Sequence, residues 1–153
     1  VALNHTSGLS LPQQTQMSLF ASFSLLDSEN LYQSRMIDII HERLHTLWKS
    51  SGFTLLDDPL RAGYYSEIDM EVWAKKFYGD DFFEYLKANY EPVDVVFRLA
   101  LVLLNGGGFD APEWSIRASL ANLKTEDYVR IGEGIASILH SYAAKWQEST
   151  KDK

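Results

Sequence analysis

What most limits the fold of this chain is the spacing at which its apolar residues recur, and the place where that spacing changes. Over residues 31–48, Met36, Ile39, Ile40, Leu44 and Leu47 return every three or four positions, with Glu42, Arg43 and Lys49 on other faces. That is the stripe of a long amphipathic helix. Over residues 114–121, Trp114, Ile116, Ala118 and Leu120 alternate with Ser115, Arg117, Ser119 and Ala121. A period of two predicts a strand with one greasy face and with Arg117 on the other. A chain that keeps the two patterns in separate segments is α+β in class.

The punctuation fills in the rest. Ser10-Leu11-Pro12 is a helix entrance, because serine caps orphan amides and proline is tolerated in the first turn. Leu19, Phe20, Phe23, Leu25 and Leu26 give the first helix a broad apolar face, and Asp27-Ser28 offers a break and a new cap. Ser51-Gly52 ends the second helix, and Asp57-Asp58-Pro59 marks a turn-rich stretch. Residues 64–68 are expected as a strand, then two short helices over 72–78 and 81–89 separated by Gly79. After Pro92 a helix is expected over 93–100 and a buried strand over 101–104. Gly106-Gly107-Gly108-Phe109 must be a loop, since glycines lose the most entropy in a regular element. Thr125-Glu126-Asp127 starts a final helix with Val129, Ile131, Ile135, Ile138 and Leu139 on its apolar face, and the tail beyond Gln147 is expected to fray.

Composition narrows the function classes. With 153 residues, 46% of them hydrophobic, the chain can bury a real core. The net charge of −7 has the wrong sign for a phosphate backbone, so nucleic acid is not an expected partner. No cysteine is present, which excludes disulfides, zinc–thiolate sites and a thiol nucleophile and points to the cytoplasm. The apolar run 99–104 is far shorter than the roughly 20 residues of a bilayer-spanning helix, so no membrane partner is expected. Residues 1–10 lack a basic segment followed by an apolar one, so no signal peptide is expected and the start is read as internal.

Free-standing enzymes usually display a nucleophile beside a base, or a cluster of metal ligands, and neither is evident. His41 and His45 share a helix face at metal-pair spacing, but no carboxylate is placed to complete a site and no metal is proposed. The triple glycine is followed by Phe109-Asp110-Ala111-Pro112 rather than a helix, so its amides have no helix dipole behind them for a phosphate. Arg117 stands out because a guanidinium offers a planar fork that matches a carboxylate with two parallel hydrogen bonds. From residue type and spacing alone, it is either a carboxylate-binding group or a surface arginine on a half-exposed strand.

Gly106-Gly107-Gly108-Phe109 followed by Trp114-Ser115-Ile116-Arg117-Ala118-Ser119-Leu120-Ala121-Asn122 resembles the end of the fold-type I, pyridoxal-phosphate-dependent aminotransferases. There a glycine and phenylalanine loop precedes a strand with an R-x-S-x-A-N pattern. His5-Thr6-Ser7-Gly8-Leu9-Ser10, Arg61-Ala62-Gly63-Tyr64-Tyr65-Ser66-Glu67-Ile68-Asp69 and Asn89-Tyr90-Glu91-Pro92-Val93-Asp94 resemble the aspartate 4-decarboxylase branch of that family, as does the helical insertion over 70–89. The resemblance implies that residues 1–50 close the large domain and supply connecting helices. Residues 51–153 would be the carboxy-terminal small domain.

By the same resemblance Arg117 binds the α-carboxylate of L-aspartate, Gly108 and Phe109 line the cleft, and Asn122 and Ser119 sit in the supporting strand. The implied reaction is loss of the β-carboxylate to give L-alanine and carbon dioxide, with aspartate transamination beside it. The alternatives are a plain aspartate or broad-specificity aminotransferase, or a non-catalytic amino-acid-binding module. The lysine that carries pyridoxal phosphate, and the aspartate that pairs with its pyridine nitrogen, belong to upstream motifs absent from this sequence. No residue here is expected to be catalytic or to bind the cofactor, and the chain alone is expected to be inactive. Family members are dimers or larger, and residues 5–10 are expected near a neighbouring subunit's site.

Overall fold

Ser10 and Gln13 open the first helix: the Ser10 amide donates to the Gln13 side-chain oxygen at 2.9 Å, so the chain's first punctuated position is indeed a helix start. The computed structural model describes residues 8–56, 58, 61, 63–99, 104–105 and 111–151, the side chains of 96–99 and 104–105 excepted. In chain order the elements are α1 (Leu11–Leu26), α2 (Leu31–Ser50), β1 (Tyr65–Asp69), α3 (Met70–Tyr78), α4 (Asp80–Asn89), α5 (Pro92–Leu99), β2 (Leu104–Asn105), β3 (Ser115–Ser119) and α6 (Thr125–Lys151). Mixed helices with a small antiparallel sheet make the fold α+β.

The chain divides into two units, Val1–Asp38 and Ile39–Lys153. In the first, Asp27 breaks the chain and caps α2, its carboxylate accepting from the amides of Leu31 at 3.0 Å and Tyr32 at 2.9 Å. Phe20 and Phe23 meet the Tyr32 ring edge-on at 6.2 and 5.5 Å. No residue of α1 is buried, and Leu11, Leu19, Phe20, Phe23 and Leu26 stand exposed.

The second unit is built on three strands in the order β1-β3-β2, with β3 in the middle and both pairings antiparallel. One face of the sheet is in the core: Ile68 opposite Ile116 and Ser66 opposite Ala118 are all buried. Leu44 and Leu47 of α2, Trp73 of α3, Phe82 and Leu86 of α4, and Ile135 and Leu139 of α6 complete that core. Polar atoms inside it are satisfied. The Trp73 indole donates to the Ser51 carbonyl at 2.8 Å and the Trp48 indole to the Ser66 hydroxyl at 2.9 Å. Gly79, at φ 86°, supplies the left-handed turn that lets α3 end and α4 begin at once.

Three local expectations are corrected. The buried stripe of α6 is Tyr128, Gly132, Ile135, Leu139, Tyr142 and Ala143, while Val129 is exposed and Ile131 and Ile138 are only half-buried. The stripe was misread because tyrosines and a glycine count as core when a hydroxyl finds a partner or a neighbouring helix needs close approach. The helix also continues past Gln147 to Lys151 instead of fraying there. Trp146 packs on Phe82, ring centroids 5.5 Å apart, one turn before the end. Finally, Thr125 is the first residue of α6 rather than its cap.

Candidate carboxylate-binding site

The alternation that predicted β3 decides where Arg117 points. Ile116 and Ala118 turn into the core, so Ser115, Arg117 and Ser119 take the opposite face, in register with Asp69, Glu67 and Tyr65 of β1. Ser115 is nevertheless buried, its hydroxyl donating to the Pro112 carbonyl at 2.7 Å. Asp69 is spent on α3, accepting from the amides of Glu71 at 2.8 Å and Val72 at 3.2 Å. That leaves Arg117, Glu67, Tyr65 and Ser119 as the open part of this face. The guanidinium carbon of Arg117 lies 3.9 Å from the centroid of the Tyr65 ring, a cation–π contact. Leu104 of β2 pairs with Arg117 on the other side of the strand.

The far end of β3 is tied to three elements. The Tyr128 hydroxyl of α6 donates to the Ser119 carbonyl at 2.7 Å, and Arg43 of α2 donates to the Leu120 carbonyl at 2.8 Å. The Leu120 amide donates to the Tyr64 carbonyl at 2.6 Å. Burial pushes the Tyr128 phenol above its ordinary range. A charged donor and a buried phenol on consecutive carbonyls fix the strand that carries Arg117. Neither Arg43 nor Tyr128 was singled out by sequence reasoning; Arg43 looked like a solvated helix face, and no spacing rule links residues so distant in the chain. A cavity of about 260 Å³ lies beside β1, lined in part by Leu44, Trp48, Arg61, Tyr65 and Glu67.

Of the residues the sequence brought together, Arg117 stands on the open face. Asn122 does not share its strand: β3 ends at Ser119, and Asn122 sits in an exposed bend beyond it. Gly108 and Phe109, and with them His5, lie outside the described residues. A ring nitrogen of His41 is engaged with the Arg61 carbonyl at 2.8 Å. Among the described residues no group of three or more His, Asp or Glu is placed to hold a metal ion, and no helix is long and apolar enough to cross a membrane.

The described lysines bear on whether this part of the chain could carry an aldehyde cofactor. Lys49, Lys75, Lys76, Lys87, Lys124, Lys145 and Lys151 are all exposed. Lys75 is held by Glu71 at 2.8 Å and Asp80 at 3.3 Å, hydrogen bonds that raise its pKa above the ordinary lysine value. A lysine that bonds covalently to an aldehyde needs the reverse, a neutral amine inside a pocket. The described residues do not fit the cofactor's attachment site; they fit a carboxylate clamp.

No family model matches the chain. It is 40% identical over 139 residues to the bifunctional aspartate aminotransferase and L-aspartate beta-decarboxylase of Pseudomonas sp. The alignment takes in 88% of this chain and 26% of that protein, in its carboxy-terminal part, so the chain spans about a quarter of the relative's length. The resemblance read from short motifs thus extends over most of the sequence.

Proposed function

We propose that this chain is the carboxy-terminal part of a pyridoxal-phosphate enzyme that removes the β-carboxylate of L-aspartate, giving L-alanine and carbon dioxide, with aspartate transamination as a second activity. The observation that carries this reading is Arg117, a forked cation on the open face of a sheet whose other face is core. It is supported by the relative, whose name joins the same two activities.

Arg117 holds the substrate's α-carboxylate through two parallel hydrogen bonds. A fixed fork also orients the amino acid, setting which bond at Cα stands ready to break. Gly108, Phe109 and Asn122 belong to the substrate cleft in this proposal. When bound, pyridoxal phosphate supplies an electron sink for the reaction. Because the lysines described here do not fit its attachment, the cofactor's own contacts come from the remainder of the parent chain, and the isolated chain is inactive.

Residues 1–50 then close the large domain and connect it to the small domain, 51–153. The unburied apolar residues of α1, with Phe20 and Phe23 among them, suit a surface that the remainder of the parent chain covers. The working enzyme is a homodimer or a larger assembly in the cytoplasm, and its partners do not include nucleic acid.

The test is product analysis of the intact parent protein supplied with pyridoxal phosphate and L-aspartate. Alanine and carbon dioxide as main products are expected. Oxaloacetate formed only in the presence of 2-oxoglutarate would instead make it an aspartate aminotransferase. Binding of aspartate by this chain alone, without cofactor, would favour the non-catalytic module.

A further inference from the structure

We propose that Tyr65 is a positioning residue for Arg117: its ring supports the guanidinium so that the donors in the guanidinium plane stay available to a carboxylate. The inference rests on the reading of Arg117 as the carboxylate clamp and extends it by one residue. Tyr65 pairs with Ser119 and Glu67 with Arg117, so Tyr65 and Arg117 are diagonal neighbours across β1 and β3. Diagonal positions are within reach of an aromatic and a long side chain. The contact is made, with the guanidinium carbon 3.9 Å from the ring centroid.

The chemistry of that contact suits recognition. A guanidinium meets an aromatic face through its own π surface, whereas its N–H donors lie in its plane. Support from the ring therefore leaves the donors free in a way that a neighbouring carboxylate would not. The ring also narrows the rotamers of a long side chain that would otherwise lose that freedom on binding.

The backbone on both sides is held. Trp48 donates to Ser66 and Ile68 is buried, so β1 must turn Tyr65 to the open face. Tyr128 and Arg43 hold the carbonyls after Arg117. Tyr65 itself is 56% exposed and contributes little to the core, so its contact with Arg117 needs an explanation other than packing.

The experiment compares Tyr65→Phe and Tyr65→Leu in the intact parent protein with pyridoxal phosphate, alone and with Arg117→Lys. It reads kcat and KM for L-aspartate and the dissociation constant of succinate, which has two carboxylates and no amine to react. Tyr65→Leu is expected to raise KM and the succinate constant roughly three- to tenfold, the range of a cation–π contact, with kcat changed less than about twofold. Tyr65→Phe keeps the ring and should stay within about twofold of the parent on both. With Arg117→Lys, which has no planar face to support, Tyr65→Leu should add nothing further.

An unchanged KM in Tyr65→Leu, where Arg117→Ala raises it, would overturn the role of Tyr65 and leave the clamp standing. If Arg117→Ala also leaves KM unchanged, the clamp itself is wrong. An equal loss on Tyr65→Leu with and without Arg117→Lys would make Tyr65 a structural residue and overturn the proposal.

Discussion

At the residue scale, Arg117 works as a clamp only because the alternation along β3 gives it the open face while Ile116 and Ala118 take the core. Replacing it by alanine in the intact parent protein removes a bidentate charged pair of about 2–3 kcal/mol, so aspartate binding should weaken by tens- to a hundredfold. Steady-state KM for L-aspartate checks this. Tyr128 carries a second prediction. Its buried hydroxyl donates to the Ser119 carbonyl at 2.7 Å. Burial raises its pKa from 10.0, so the unfolded chain ionises before the folded one. The resulting stability is fully present below pH 10 and is lost as pH rises from there through the folded value. Tyr128→Phe should cost about 1 kcal/mol near neutrality and should remove this part of the alkaline decline, both read from urea unfolding at several pH values.

At the element scale, α6 and the end of α2 touch at a glycine. A Cβ on Gly132 would sit 2.5 Å from the Ser50 Cβ, 2.6 Å from the Leu47 oxygen and 2.8 Å from the Ser51 nitrogen. Two of these are backbone atoms of a buried helix end, which cannot swing aside. Gly132→Ala is therefore expected to destabilise the protein by about 1–3 kcal/mol through overpacking. Gly134, on the same helix, has nothing within 4 Å of the corresponding position. Gly134→Ala should be neutral or stabilising by up to about 1 kcal/mol, because alanine loses less backbone freedom in a helix. Thermal unfolding of the two variants separates close approach from helix propensity.

At the scale of the whole molecule, burial is unevenly shared. The unit Ile39–Lys153 carries the core, whereas α1 in the other unit buries nothing. A helix of 16 residues without packing is marginal in water. In the isolated chain, the amides of α1 are expected to exchange with solvent in near-unprotected fashion while those of β3 and of α6 around Ile135 are protected. In the intact parent protein α1 should gain protection. Exchange followed by mass spectrometry checks both, and slow exchange of α1 in the isolated chain would count against an unpacked helix.

The sequence by itself determined the α+β class, the order of the elements and the face of β3 that Arg117 occupies, because each follows from local rules. Apolar period, caps at Ser10 and Asp27, and turns at Gly52 and Gly79 act over a few residues. It also carried the motif around Arg117. Only the tertiary structure decided that Tyr65 lies over the guanidinium and that Arg43 and Tyr128 hold the end of β3. The same holds for Gly132, which reads as a weak point in a helix until Ser50 and Ser51 are beside it. These contacts join residues far apart in the chain. Their energies depend on register and on the approach of packed helices, and no local spacing encodes either.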